Sequence, residues 1–231
     1  HRVNAASLKD ARARWTAAFT DLPRPRIGVV IGGHSGPYTL GPSAAADLGR
    51  QAAARARAAG GALLVTTSSR TPPGSIDALT GVIDVPAYVY RYGIDAGDNP
   101  YLGILAGADE LIVTSDSIAM LSEAVATGKP LSIYDLSGGG DTRLAGQAYR
   151  FLMRHGHPRL TRDLSLFHDA LIESGRAVWL GTSPPPAPPP LDDIGRAVKR
   201  VRRLLGLADP ADDPTSGAAR TVGPALPQGG G

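Results

Sequence analysis

The chain has 231 residues, of which 5% are aromatic, a formal net charge of +3 and no cysteine. This length allows one large domain or two small ones, and the apolar runs are far shorter than the roughly 18 residues of a membrane span. Without cysteine, disulfides and Cys-ligated zinc are excluded and a cytoplasmic protein is favoured, and the modest charge with few aromatics argues against a nucleic-acid partner.

The first predicted element is an amphipathic helix. Apolar residues recur at helical spacing over residues 7–19, and Ser7 is the predicted N-cap. The stretch LPRPR then ends the helix. We expect this helix to pack beside the following domain rather than to form a domain by itself.

From residue 26 onwards, short apolar runs alternate with helical patterns. The predicted strands cover residues 27–31, 62–66, 87–91, 110–114 and 130–134. The predicted helices cover residues 43–59, 75–80, 99–107 and 117–127. Continuous apolar strands separated by helices are typical of a parallel sheet that is covered on both faces. The sequence therefore predicts a Rossmann-like α/β domain over residues 26–182, with a doubly wound, mainly parallel sheet.

The chain changes character beyond the fifth strand. Helical patterns cover residues 143–155 and 164–174, and a short apolar segment surrounds Trp179. Composition then predicts a Pro-rich linker over 183–191, a basic amphipathic helix over 192–207 and a disordered tail over 208–231. We expect the basic helix either to pack as a terminal helix or to contact an anionic membrane weakly, at the periphery of the inner membrane.

Small, polar or positively charged residues follow the predicted strands. Ligands of open parallel α/β sheets bind outside the carboxyl ends of the strands, so these residues are the candidate binding residues. They are Gly32, Gly33 and Ser35 after the first strand, Ser68 and Arg70 after the second, Tyr92 after the third, and Ser115, Asp116 and Ser117 after the fourth.

The stretch VVIGGHSGPYTLG, residues 29–41, is compatible with several chemistries. A nucleophile elbow requires Gly-x-Ser-x-Gly, but Pro37 takes the place of the last glycine. The patterns of a P-loop and of a dinucleotide-binding loop are absent. A glycine loop that donates its amides to a phosphate, with Arg70 supplying a charged fork, fits these residues. A tight turn, a serine hydrolase using Ser35 and a later histidine such as His168, and an NADP enzyme using Arg70 stay open.

A second group of polar residues lies in TSDSIAMLSEAVATGKP, residues 114–130. Ser115 and Ser117 fall where a strand ends and a helix begins, so hydroxyls, free amides and the helix dipole favour an anion. Glu123 lies within that helix, and its carboxylate can accept both hydroxyls of a ribose. The alternative is that Ser117 only caps the helix and Glu123 is solvated.

These stretches carry a resemblance to a known family. AGADELIVTSDSIAMLSEAVATGKP resembles the donor-binding half of GT-B glycosyltransferases. Together with PRIGVVIGGHSGPYTL, SSRTP and NPYLGILAGADELIVTSDS, it resembles the bacterial mitochondrial-fission-like family of GT-B type, which is related to a plant protein of mitochondrial division. The resemblance covers roughly residues 1–180 and implies two Rossmann-like domains, of which the N-terminal acceptor domain is missing here. Residues 1–25 then correspond to the connecting helix from that domain.

The resemblance also implies the roles of the candidate residues. The resemblance implies a nucleotide-sugar donor, which is a substrate, so no cofactor is expected. No metal is expected either, because Arg70 and helix amides carry the charge of the leaving group. By this resemblance the phosphates lie near Gly32, Gly33, Ser35, Ser68, Arg70 and the segment Ser115, Asp116 and Ser117, the base near Tyr92, and the ribose near Glu123.

The resemblance leaves three functional interpretations. Ser115 stands where retaining relatives often carry a second glutamate, which favours an inverting transfer to an unknown acceptor, such as a lipid-linked one. No catalytic residue is assigned, because the resemblance places the base in the missing domain. The alternatives are a nucleotide-sugar epimerase and a non-catalytic protein-interaction scaffold of the mitochondrial-fission type.

Overall fold

The computed structural model describes residues 3–35, 38–137, 164–183 and 200–205. The chain divides into two compact units, residues 1–191 and residues 192–231. The helix predicted over 143–155, most of the linker and the predicted tail lie outside the described residues. In the second unit, residues 200–204 are helical, and Val201, Leu204 and Leu205 are exposed.

The first unit alternates helices and strands. In chain order these are α1 (Ala5–Phe19), β1 (Arg26–Val30), α2 (Pro42–Ala58), β2 (Ala62–Thr66), α3 (Pro73–Thr80), β3 (Ala87–Tyr90), α4 (Tyr101–Gly107), β4 (Glu110–Thr114), α5 (Ile118–Ala126), β5 (Leu131–Tyr134), α6 (Ser165–Glu173) and β6 (Val178–Trp179). The strands and helices predicted within the described residues are therefore confirmed. Among the described helices, none is long and apolar enough to cross a membrane.

The start of α1 differs from the prediction. Asn4 is the N-cap, and its side chain accepts a hydrogen bond from the Ser7 amide at 2.9 Å, while the Ser7 hydroxyl accepts one from the Asn4 amide at 3.0 Å. Ser7 is thus the third helical residue of a capping box, and its prediction as the N-cap is wrong. Both side chains suit an N-cap, and the two reciprocal bonds of the capping box make Asn4 the residue at which the helix starts.

The six strands form one sheet in the order β3-β2-β1-β4-β5-β6. Every neighbouring pair is parallel, with Ile27 opposite Leu63 on one side of β1 and opposite Glu110 on the other. The predicted doubly wound α/β sheet is therefore confirmed. All strands end at the same edge, and the strand order reverses between β1 and β4, where such folds hold their ligands.

Helices cover both faces of this sheet. On one face, the buried core combines residues of α2 and α3 with alternate strand residues: Ile27, Val29, Ile31, Ala45, Leu48, Ala52, Ala56, Leu63, Val65, Leu79 and Ile112. On the other face, the buried core combines residues of α1, α4, α5 and α6 with the remaining strand residues: Phe19, Val30, Leu64, Ile104, Leu105, Leu111, Val113, Leu121, Leu131, Ile133 and Leu171. The two-residue period of the strands explains this division.

Helix α1 packs directly on α4, and thus beside the following domain as the sequence predicts. A Cβ atom at Gly103 would lie 2.3 Å from Cγ of Trp15, so only glycine lets the indole rest on the α4 backbone. Phe19 is 1% exposed and meets Tyr88 of β3 edge to face, with the ring centroids 5.1 Å apart. The assignment of α1 as a connection from another domain stays a prediction.

The C-terminal end of α4 is closed by Lys129. Its Nζ donates to the carbonyl oxygens of Leu105, Ala106 and Ala108 at 2.5, 2.9 and 2.5 Å. Carbonyls at this end of a helix have no helical partner, so the ammonium satisfies them. Burial lowers the pKa of Lys129 to about 8, because the protein replaces much of the water around the charge.

The two edges of the sheet are short. Strand β3 has four residues and follows Pro86, whose carbonyl accepts from the Leu63 amide of β2. Strand β6 has two residues and leads into a turn closed by a bridge between Leu180 and Thr182.

Candidate functional site

Three loops meet at the carboxyl edge of the sheet, and the Asp116 carboxylate joins them. It follows β4, and its Oδ2 accepts a hydrogen bond from the Gly33 amide of the β1–α2 loop at 2.9 Å. The Arg70 guanidinium of the β2–α3 loop lies 3.0 Å from the same oxygen. Oδ1 accepts from the Thr114 hydroxyl at 2.6 Å. Arg70, Gly33 and Asp116, predicted separately as binding residues, thus lie together.

The two glycines make room for this contact. A Cβ at Gly32 would lie 2.1 Å from Oδ2 of Asp116, and a Cβ at Gly33 would lie 2.0 Å from the Arg70 carbonyl oxygen. Neither neighbour can move cheaply, since one is a buried carboxylate and the other is backbone. The glycine pair therefore allows the β1–α2 loop to approach both other loops.

The amides of these glycines have protein acceptors in this structure. The Gly32 amide donates to the Thr114 hydroxyl at 2.9 Å and the Gly33 amide to Asp116. The sequence instead predicts that they donate to a ligand phosphate. The difference has a physical reason, because a buried amide needs an acceptor whether or not a ligand is present.

Burial and hydrogen bonding act in opposite directions on Asp116. The side chain is 0% exposed, and burial is the largest influence and raises the pKa of Asp116, while the Thr114 hydroxyl, the Arg70 charge and the Gly33 amide lower it. Arg70 keeps 39% of its side chain exposed. The cluster therefore presents a cation to solvent and keeps its anion inside.

Ser68 lies beside this cluster. Its hydroxyl donates to the Gly32 carbonyl at 2.5 Å, and so does the hydroxyl of Thr71. Both side chains fix the β2–α3 loop, which carries Arg70, against the β1–α2 loop. Ser68 thus lies beside Arg70, and its hydroxyl proton is donated to the Gly32 carbonyl.

Ser115 is placed in the interior. It is 0% exposed, its hydroxyl accepts from the Leu136 amide at 2.9 Å, and its carbonyl lies 2.8 Å from Nε2 of His168. The His168 ring packs edge to face against both Tyr38 and Trp179. Ser115 and His168 therefore hold the end of β4 against α6, so a ligand at the sheet edge has no direct path to the Ser115 hydroxyl.

Ser117 and Glu123 lie on α5. Ser117 is the N-cap and accepts from the Met120 amide at 3.4 Å. The Glu123 carboxylate accepts from the Tyr101 hydroxyl at 2.5 Å. Burial, followed by this carboxylate, raises the pKa of Tyr101. Tyr101 thus contacts a candidate binding residue but is missing from the sequence-based set, although it opens α4 within the motif NPYLGIL.

Ser35 and Tyr92 lie farther towards solvent. Ser35 exchanges backbone hydrogen bonds with Tyr38 at 2.9 and 3.1 Å. Tyr92 is 45% exposed, and its amide donates to the Thr67 hydroxyl at 2.9 Å. Both follow strands that end at this edge, so the structure places them at its rim.

Comparison with known proteins identifies the family of this chain. The family model described as Mitochondrial fission ELM1 matches residues 1–205. The mitochondrial fission protein ELM1 of Arabidopsis thaliana is 30% identical over 208 residues, which are 89% of this chain and 44% of the plant protein. An uncharacterized protein of Rickettsia prowazekii is 37% identical over 71 residues, 30% of this chain and 20% of that protein.

The chain thus spans less than half the length of these two relatives. The family match, in contrast, extends over most of the chain. It also covers every motif on which the predicted resemblance depends. The chain belongs to the mitochondrial fission ELM1 family.

Proposed function

We propose that this chain is the donor-binding half of a GT-B glycosyltransferase, which transfers a sugar from a nucleotide sugar to an acceptor. The observation that carries the proposal is the position of Arg70 and the α5 N-terminus at the carboxyl edge of a sheet whose strand order reverses between β1 and β4, with Glu123 farther along the same helix. In doubly wound folds, nucleotides bind at this edge.

Each group suits a different part of the donor. The exposed part of the Arg70 guanidinium can hold a diphosphate through charged hydrogen bonds. The first turn of α5, which Ser117 opens, adds amides and a favourable dipole. Oε2 of Glu123 is taken by Tyr101, and Oε1 accepts from no other group as far as the described residues extend, so it suits the ribose hydroxyls. Tyr92 borders the base.

The chemistry follows from this division. The leaving group is a nucleoside diphosphate, whose charge Arg70 and the α5 N-terminus stabilise. An inverting transfer needs a base on the acceptor side, which a second domain supplies in this proposal. An epimerase with the same donor site differs in its product, since it returns a nucleotide sugar whereas a transferase releases a nucleoside diphosphate.

Isothermal titration with ribonucleoside and 2′-deoxyribonucleoside diphosphates tests the donor site. Arg70→Lys keeps the charge but loses the fork, so we expect affinity for every diphosphate to fall by about tenfold or more, the value of one charge-assisted hydrogen bond. Glu123→Gln should weaken ribonucleotides more than deoxyribonucleotides. The matched control is Arg55→Lys, because Arg55 also forms a two-bond fork, with Glu110 at the opposite end of β4.

Two results contradict parts of this proposal. Equal losses for ribose and deoxyribose ligands in Glu123→Gln contradict the ribose assignment. Folded wild-type protein that binds neither nucleoside diphosphates nor nucleotide sugars contradicts the donor site itself.

The second candidate is a protein-interaction scaffold. It is favoured by the internal bonds of the Gly32 and Gly33 amides, which leave the β1–α2 loop fewer donors for a phosphate. The name of the Arabidopsis relative, mitochondrial fission protein ELM1, agrees with such a role. Retention of a protein partner in a pull-down, together with absence of nucleotide-sugar binding, supports the scaffold.

A further inference from the structure

The inference concerns the ion pair of Asp116 and Arg70. The Asp116 side chain is 0% exposed, and Arg70 supplies the cation next to it, 3.0 Å from Oδ2. The remaining partners of the carboxylate, the Thr114 hydroxyl and the Gly33 amide, are neutral. Asp116 thus depends on Arg70 for its counter-charge.

A diphosphate at this edge competes for the same guanidinium. One terminal nitrogen of Arg70 contacts Asp116, and the other lies 3.5 Å from the His34 carbonyl oxygen. A phosphate fork made end-on by the guanidinium uses both terminal nitrogens. When Arg70 turns to such a ligand, a buried carboxylate loses its counter-ion where no water can replace it, and an uncompensated buried charge is strongly unfavourable.

The cluster contains a means of neutralising this carboxylate. The Thr114 hydroxyl accepts from the Gly32 amide and donates to Oδ1 of Asp116. A hydroxyl can donate or accept, so this bond can reverse and take the proton of a protonated Oδ1. The Gly33 amide can meanwhile keep its bond to Oδ2.

We propose that Asp116 is the positioning residue for Arg70 and exchanges this partner for a proton when a diphosphate ligand draws Arg70 away. One proton passes from solvent to Oδ1, Arg70 stays protonated, the ligand stays ionised, and no other covalent bond forms or breaks. The inference rests on the proposed function, because it assumes that Arg70 binds a diphosphate.

The sign of the pH dependence follows from the geometry. Arg70 is one of the groups that lower the pKa of Asp116 against the effect of burial, so its departure raises that pKa further. The liganded protein then binds more protons than the free one, and affinity rises as pH falls, by up to about tenfold per pH unit for one proton. Among the described residues, the other titratable groups beside the cluster are His34, whose carbonyl lies near Arg70, and His168 on α6, whose Nε2 lies near the Ser115 carbonyl.

Titration calorimetry in buffers of different ionisation enthalpy measures the protons taken up. The probes are UDP-, GDP- and ADP-linked hexoses, because their diphosphate lacks the terminal phosphate that titrates near pH ~6. In Asp116→Asn, the amide nitrogen can donate to Thr114 while the oxygen accepts from Gly33, as in the protonated acid. We expect proton uptake in wild type and in His34→Gln, and neither uptake nor pH-dependent affinity in Asp116→Asn.

The carbon-13 NMR signal of the Asp116 carboxyl provides a second measurement that needs no variant for its readout. It should move to the protonated position when the nucleotide sugar is added, which also separates Asp116 from His168. Binding without uptake in wild type, or uptake that persists in Asp116→Asn, overturns the inference and leaves the donor site intact. Failure of all three sugars to bind folded wild type overturns the proposed function and the inference together.

Discussion

The close approach of Gly32 to Asp116 predicts that a side chain at position 32 lowers the stability of the protein. In Gly32→Ala, the new Cβ would lie 2.1 Å from Oδ2 of Asp116 and 2.4 Å from Oδ1, well inside van der Waals contact. The carboxylate must therefore retreat by more than an ångström, which breaks its 2.9 Å bond from the Gly33 amide and its 3.0 Å contact with Arg70. Leaving a buried carboxylate without its partners costs about 3–5 kcal/mol, so we expect that loss of unfolding free energy.

Urea unfolding followed by circular dichroism measures this loss. The matched control is Gly74→Ala, because the nearest atom to its Cβ is a Pro42 carbon at 4.0 Å. Gly74 lies in α3, so the same substitution should stabilise the protein by about 0.5–1 kcal/mol. In an Asp116→Ala background the clash is absent, and the cost of Gly32→Ala should shrink to under about 1 kcal/mol. A cost below about 1 kcal/mol in the wild-type background would refute the reasoning.

Three further predictions concern other parts of the chain. The pKa of Lys129 is about 8 in the folded protein and 10.5 ordinarily, so the unfolded chain binds more protons between these two pH values. The unfolding free energy of wild type relative to Lys129→Met should therefore rise with pH in this interval. A difference between the two proteins that does not change with pH in urea titrations contradicts this. Gly103→Ala should displace Trp15 from α4, which costs about 1–3 kcal/mol and shifts the tryptophan emission; unchanged emission and stability would show that α1 does not need this contact. The basic segment 192–207 is predicted either to pack as a terminal helix or to contact anionic membranes weakly; in the second case truncation of residues 184–231 should abolish co-sedimentation with anionic liposomes, and equal sedimentation of both forms would exclude the anchor.

The sheet could be predicted because its strands carry their signal locally. The buried strands β1, β2, β4 and β5 are short apolar runs, and turns or helical patterns separate them in the sequence. Helix starts are less well determined, since Asn4 and Ser7 both suit a cap and only the folded backbone chooses between them. The convergence of Gly33, Arg70 and Asp116 could also be predicted, because parallel strands all end at one edge.

The contacts within the site could not be predicted. The acceptors of the Gly32 and Gly33 amides lie 82 and 83 residues away in the chain. Position alone assigns Asp116 to the binding edge, yet nothing in the sequence indicates that its carboxylate turns inward to the glycines. Tyr101 and Glu123 lie 22 residues apart in the chain and on different helices, and no local pattern predicts their bond.

The short edges of the sheet have a consequence for association. An exposed edge strand offers unpaired amides and carbonyls to another chain, and long flat edges of this kind seed β-aggregation. Here β6 offers a template of two residues, and the other edge, β3, is four residues long and follows a proline, which has no amide to donate. Copies of this domain concentrated on a surface therefore have little edge on which to extend one another's sheets, and crowding favours contacts through helices and loops instead.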